Sequence, residues 1–388
     1  MRLAQKMSRL GTESAFRVLA QAQALEARGI DVIHLEIGEP DYATPANIAE
    51  AAARAVKDGY THYCNSQGIV QLRTAIAREI EKTRSIRVDP DRIVVTTGDK
   101  PIMFYAILAL LEEGDEAIYP DPGFPIFESM INFTGAKLVP LSMREELDFC
   151  FDIDEFKSKV TSRTRLIIVN SPHNPTGSVL TKEDIQAIAD VARERGIVVL
   201  SDEIYERFIY EGQALSITSL PRMLERTIML SGFSKTYAMT GWRLGYAVMP
   251  KGLVEPIVRM IVNSVSCTVP FIQRAGIEAL TGPQDFIPGM IDEFKKRRDL
   301  IVDWLNEIPG VSCRKPKGAF YSFPNIKKTG MKAKALAEYL LKGANVAMLA
   351  GSDFGKYGEG YLRLCYANSQ QNLQKAIDRI SAALKKAK

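Results

Sequence analysis

The chain predicts an α/β fold, a mostly parallel sheet with helices on both faces, joined to a smaller α+β domain. Three observations predict it. Helix-period segments alternate with short β-branched runs from about Pro45 to about Met249. Four of those runs lead directly into polar clusters, as the carboxyl ends of strands in an open sheet do where ligands bind. The alternation then stops near Thr281-Gly282-Pro283, where one long helical stretch follows.

Taken in order, residues 1–44 form an amphipathic arm that completes the small domain. Arg2, Lys6, Arg9, Glu13 and Arg17 interrupt any apolar core, so the arm does not read as a signal peptide. Residues 45–282 form the large domain. Its helices are expected over Pro45 to Lys57, Val70 to Lys82, Pro101 to Glu112, Pro125 to Phe133, Ile153 to Val160 and Lys182 to Arg195. Its strands are expected at Ile93 to Thr97, Glu116 to Tyr119, Lys137 to Leu141, Leu166 to Asn170, Ile197 to Leu200, Arg226 to Leu230 and Leu244 to Met249. Residues 283–388 form the small domain. It comprises a helix over Asp285 to Ile308, the run Gly318 to Phe323, a helix near Lys332 to Leu341, a strand over Tyr361 to Tyr366 and a helix from about Gln370 to Lys385.

Composition bounds the function. With 388 residues, 46% hydrophobic and 25% charged, the chain buries a large core. A net charge of +4 spread along the chain gives no nucleic-acid or membrane footprint. The longest charge-free apolar stretch, Pro101 to Leu111, is too short to span a bilayer. Cys64, Cys150, Cys267, Cys313 and Cys365 are odd in number and form no Cys-x-x-Cys pair, which favours reduced thiols and a cytoplasmic setting. His34, His62 and His173 do not stand at metal-ligand spacing, so no metal is expected. Dinucleotide and P-loop glycine motifs are missing, as is a Gly-x-Ser-x-Gly elbow. Ser312-Cys313-Arg314-Lys315 and Lys328-Thr329-Gly330 imitate two β-lactamase motifs, but they stand too close together and lack the third.

Chemistry concentrates in the polar clusters. Lys235, in Ser234-Lys235-Thr236, follows one strand and precedes Arg243 by eight residues, an amine held near a bound anion and suited to Schiff-base formation. Gly98-Asp99-Lys100, Asn174-Pro175-Thr176-Gly177 and Asp202-Glu203-Ile204-Tyr205 follow three others. A solvated loop is the ordinary fate of each alone. Together they offer an amine, an acid, an amide and a phenol along one sheet edge. Pyridoxal phosphate presents an aldehyde, a ring nitrogen, a ring oxyanion and a phosphate that demand such partners.

Ser234-Lys235, Met239-Thr240-Gly241-Trp242-Arg243-Leu244-Gly245-Tyr246, Asn174-Pro175-Thr176-Gly177 and Asp202-Glu203-Ile204-Tyr205 occur here in family order. With them the chain resembles the fold-type-I pyridoxal-phosphate enzymes, and among these the class I/II aminotransferases of the prokaryotic aspartate aminotransferase type. The resemblance runs from Gly38-Glu39-Pro40-Asp41 to Arg363. It implies that Lys235 holds the cofactor and moves the α-proton, that Asp202 faces the ring nitrogen, and that Asn174 and Tyr205 donate to the ring oxyanion. The phosphate would take backbone amides of Gly98-Asp99-Lys100 at a helix start, Arg243 and Ser234. Asp99 departs from the family's small residue there, and must turn away to cap the helix. Gly232 stands where a serine is common.

The resemblance also implies an aromatic at Phe124 stacked on the ring, with core packing as its alternative, and Tyr63 reaching the phosphate of a neighbouring protomer in a homodimer. Arg363, with a backbone amide at Gly38, would bind the substrate α-carboxylate; a salt-bridged strand residue is the alternative for Arg363. The implied activity is ping-pong transamination between an L-amino acid and a 2-oxo acid, with aspartate as the default donor. A carbon-sulfur β-lyase on the same scaffold and a non-catalytic cofactor-binding regulator are the alternatives.

Overall fold

The computed structural model describes residues 2–213 and 215–386. A seven-stranded sheet runs through the larger part, in the order Ile93–Thr96, Gly245–Val248, Thr227–Gly232, Val198–Asp202, Thr164–Asn170, Glu116–Asp121, Lys137–Ser142. Gly245–Val248 runs antiparallel to both its neighbours, and every other adjacent pair is parallel. Six strands therefore point their carboxyl ends at the edge where Gly245–Val248 begins. The central strands are buried on both faces, which is why they appear in the sequence as unbroken apolar runs.

The helices between them carry local stop and start signals. Lys182–Arg195 shows why: Thr181 Oγ1 accepts from Asp184 N–H at 3.1 Å, the Asp184 carboxylate accepts from Thr181 N–H at 2.9 Å, and Gly196 closes the far end at φ 68°. Proline opens Pro125–Thr134 and stands in the first turn of Lys100–Leu110. Expected and observed bounds of these helices differ by a residue or two.

Two helices, Lys251–Ser264 and Pro270–Thr281, occupy a stretch for which the sequence suggested no element. Pro256 inside the first of them is a breaker that hides the period. Pro270–Thr281 packs closely on the helix Ala46–Lys57. The amino-terminal arm contains a 3₁₀ turn, Gln5–Arg9, and the helix Ser14–Glu26. No helix among the described residues is long and apolar enough to cross a membrane.

The carboxyl-terminal part has its own small antiparallel sheet, in the order Leu349–Ala350, Leu362–Cys365, Tyr321–Ser322, packed on the helices Phe286–Asn306, Ala333–Ala344 and Gln370–Lys386. Ile33–His34 pairs in parallel with Val346–Ala347 in a separate two-stranded sheet, which ties the arm to this part. We propose a division into an arm at 1–44, a large domain at 45–282 and a small domain at 283–388, with the arm completing the last. An aromatic cluster bridges the two larger parts. Phe320 packs at 5.2 Å on both Tyr205 and Phe208, and stacks at 5.3 Å on Phe294. Phe320→Ala is expected to cost about 3–5 kcal/mol of stability through the cavity it leaves. A denaturant titration checks this, and a midpoint unchanged from the parent would refute the bridging role.

Candidate active site

The turns that follow the strand ends meet in a cleft of about 520 Å³ lined by Asp99, Lys100, Phe124, Asn174, Asp202, Tyr205, Ser234, Lys235, Arg243 and Arg363, with Gly38 from the arm. A wider groove of about 750 Å³ lies between the helices Ile153–Lys159 and Lys182–Arg195. It holds none of these residues, so the chemistry is assigned to the smaller cleft.

Lys235 follows the strand Thr227–Gly232 by three residues, and its Nζ donates to the Gly38 carbonyl. The ammonium also lies 5.8 Å from the Tyr205 ring centroid and 5.9 Å from that of Phe320. Burial holds its pKa below the usual lysine range, with the Asp99 carboxylate acting in the opposite sense. Gly38 thus engages its carbonyl rather than only the amide expected of it. A Cβ at Gly38 would come 2.0 Å from the Tyr321 hydroxyl, so only glycine allows the arm to lie this close.

Asp202 ends the strand Val198–Asp202 and is 3% exposed. Its Oδ1 accepts from the Ile204 N–H at 3.2 Å, and Asn170 Nδ2 donates to its backbone carbonyl at 3.2 Å. Burial first, and the Asp99 carboxylate second, push the Asp202 pKa well above the ordinary aspartate value. A cation opposite this carboxylate would relieve that cost.

Asn174 is buried, its N–H held by Asn170 Oδ1 at 2.9 Å, while its own Oδ1 has no partner among the described residues. The Tyr205 hydroxyl pairs with the Tyr321 hydroxyl at 2.6 Å. Burial and the neighbouring Tyr321 raise its pKa well above that of a free phenol, so it stays protonated. Ser234 Oγ is likewise buried and unpartnered among the described residues.

Gly98, at φ 81°, does not line the cleft but makes room for it. A Cβ there would stand 2.2 Å from an Arg243 guanidinium nitrogen. Arg243 donates to the Thr240 carbonyl at 2.7 Å and is turned inward by a left-handed backbone at φ 55°. Asp99 occupies the cap position of Lys100–Leu110, yet its side chain makes no capping bond among the described residues and faces the cleft. The expected turn toward the helix end is therefore not seen.

Arg363 lies on Leu362–Cys365 and is 4% exposed. It donates to the Glu36 carbonyl and is sandwiched by Tyr321 at 4.7 Å and Phe354 at 5.3 Å. Among the described residues no carboxylate side chain pairs with it, so the salt-bridged alternative does not apply. Phe124 is half-buried on the cleft wall, 5.8 Å from Phe127. Tyr63 is 89% exposed and is not brought to the cleft of its own chain.

Among the further residues that enter the cleft and that sequence reasoning did not select for it are Tyr321, Glu13 and Phe16. Glu13 forms an ion pair with Lys100. Tyr321 belongs to a strand paired with that of Arg363, a neighbourhood no local pattern encodes. The arm from Glu36 to Thr44 is tied down over this site. Thr240 Oγ1 donates to Glu39 at 2.8 Å, Trp242 Nε1 to Thr44 at 2.9 Å, and Arg297 to Asp41 at 2.7 Å.

The family model "Aminotransferase class I and II" matches residues 30–380. An aromatic-amino-acid aminotransferase 2 of Thermococcus litoralis is 42% identical over 367 residues, which cover 93% of this chain and 94% of that one. An aspartate aminotransferase of Pyrococcus abyssi is 43% identical, covering 92% and 93%. Among solved structures, the aspartate aminotransferase of Thermus thermophilus with maleate superposes with a TM-score of 0.95 at 35% identity, covering 99% of this chain and all of that one. With its cleft at the strand ends and a family match spanning most of its length, the chain belongs to the class I and II aminotransferases.

Proposed function

We propose that the protein is a pyridoxal-phosphate-dependent transaminase that moves an amino group between an L-amino acid and a 2-oxo acid by a ping-pong mechanism, with aspartate as the default donor. One observation carries it. A lysine amine held toward its neutral form shares a cleft with a buried arginine that lacks a carboxylate partner among the described residues. Burying an unpaired guanidinium costs several kcal/mol unless an anion meets it.

The donor set fits the cofactor. Ser234 Oγ, buried and unpartnered among the described residues, stands in the same cleft as Arg243, whose close approach requires a glycine at position 98. These two, with amides at the start of Lys100–Leu110, would take the phosphate. Asp99, at the start of the helix expected to take the phosphate, carries a charge that opposes it, and rotation of its side chain into the helix cap would remove that opposition. Asp202 would face the ring nitrogen, Asn174 and Tyr205 the ring oxygen, Phe124 the ring face, and Lys235 Nζ the aldehyde carbon.

When bound, pyridoxal phosphate supplies an aldehyde that exchanges amines and a protonated ring that withdraws electrons from the substrate α-carbon. The protein's own part is positioning and proton transfer. Arg363 orients the α-carboxylate, with its planar fork braced between two aromatic rings. Lys235 Nζ, neutral once freed, takes the α-proton and returns it in the reverse direction. The Tyr321 hydroxyl fixes that of Tyr205. The tethered segment Glu36–Thr44 shields the site from water.

Lys100 offers a second cation on the wall, 5.5 Å from the rings of both Phe16 and Phe124. An aromatic donor side chain finds ring partners there, and an acidic one would compete with Glu13 for the ammonium, which bears on the names of the aromatic and aspartate relatives. Tyr63, exposed on the single chain, would be covered by a second copy in a homodimer and reach that copy's phosphate.

The test is a half-reaction panel. Purified protein loaded with cofactor and given aspartate or an aromatic donor is expected to release the matching 2-oxo acid without ammonia. Release of ammonia and pyruvate from β-substituted donors instead would overturn transamination. Arg363→Ala is expected to lower kcat/KM for such donors by about 3 kcal/mol, on the order of 10²-fold, as two charge-assisted hydrogen bonds are lost. An unchanged kcat/KM would remove Arg363 from substrate binding.

A further inference from the structure

One of the contacts between the large sheet and the turn leading to the small sheet that carries Arg363 is made by a buried carboxylate, Asp121. Asp121 ends the strand Glu116–Asp121 on the edge where the cleft lies, and is 2% exposed. Its Oδ1 accepts from the Tyr357 N–H at 3.0 Å, although the two residues are 236 positions apart. The loop is shaped around it. Gly355 has φ 128°, and a Cβ there would sit 2.1 Å from Asp121 Oδ1. Two residues beyond Asp121, the Gly123 N–H donates to the Phe354 carbonyl at 2.7 Å.

That loop leads straight to the arginine. Gly351 N–H donates to the Tyr361 carbonyl at 2.8 Å and Tyr361 N–H to that of Gly358 at 3.2 Å, closing a compact turn before Leu362–Cys365. Phe354, inside the turn, lies 5.3 Å from the Arg363 guanidinium and is 5% exposed. A carboxylate so buried is costly unless it secures something. Here it secures the turn that carries Phe354, one of the two rings beside the arginine.

We infer that Asp121 is a positioning residue for the transamination site: by accepting from the backbone of the 355–357 turn it holds Phe354 against Arg363, so the substrate carboxylate meets a guanidinium already in place. This rests on the assignment of Arg363 to the substrate carboxylate, given above. Asp121 does not line the cleft. Its effect is confined to ligands that carry a carboxylate.

The test uses holoenzyme and two aminooxy reagents, aminooxyacetate and methoxyamine, which share a nucleophile and differ in the carboxylate. Second-order rates are read from the change in cofactor absorbance. Asp121→Ala is expected to slow aminooxyacetate about tenfold, the scale of one lost hydrogen bond to a charged group, while methoxyamine stays within about twofold. Asp121→Asn keeps an acceptor but loses the charge, and is expected to fall between. It decides the matter should the alanine variant not fold. Equal slowing of both reagents, or an aminooxyacetate rate unchanged in the asparagine variant, would overturn the inference. Arg363→Ala serves as the reference. If it too slows both reagents equally, the carboxylate assignment fails as well; if it is selective and Asp121→Ala is not, only the role of Asp121 falls.

Discussion

Lys235→Ala is expected to lower turnover by at least about 10⁴-fold, the upper range for loss of a general base, and to end covalent retention of the cofactor. The amine stands just beyond the end of a strand with its pKa lowered by burial, and it lines the cleft together with Asp202 and Arg363. Lys100, the other lysine lining the cleft, is ion-paired to Glu13. The measurements are steady-state rate and the mass of the protein after borohydride treatment of the holoenzyme. Cofactor mass on the alanine variant, with turnover near that of the parent, would move the chemistry to another amine.

Asp202→Asn is expected to produce the second-largest loss, on the order of 10²–10³-fold in kcat, because a preorganised charge opposite the ring would be gone. Its effect on stability should have the other sign. Asp202 has a folded-state pKa raised well above 3.8, so the folded protein binds more protons than the unfolded one as pH rises past that value. Stability is therefore lost with rising pH across this window. Asparagine does not titrate. Cofactor-free Asp202→Asn should gain stability relative to the parent on going from about pH 4 to about pH 7. Thermal unfolding of both proteins at the two pH values checks it. A variant that loses activity and loses stability equally at both pH values would mark Asp202 as a structural residue.

Much of the large sheet was legible because its strands are buried on both faces. Ile93–Thr96, Thr164–Asn170 and Thr227–Gly232 have no solvent face on which to place polar residues. Each is therefore an apolar run whose end is marked by the first polar side chain, and those ends are where the cleft opens. Asn174, Asp202 and Lys235 were selected on that ground and lie together in it. Helices with local caps, such as Lys182–Arg195, were legible for the same kind of reason.

Other elements carried no such mark. Pro256 broke the pattern of Lys251–Ser264 although the helix continues through it, its packing overriding propensity. Asp99 was expected to cap a helix and instead faces the cleft, since a cap is only one of the partners the fold offers an acid there. Neither departure could be read from neighbouring residues.

The sequence by itself determined the fold class, the order of the strands' polar ends and the set of side chains that the strand ends present. These follow from burial and backbone propensity, which act over a few residues and so leave a periodic trace. Only the tertiary structure decided that Tyr321 meets Tyr205, that the Glu36 carbonyl meets Arg363, and that Asp121 holds a turn 236 positions away. Those contacts join parts of the chain whose separation costs entropy to close and whose partners are fixed by packing of whole layers, so no local pattern records them.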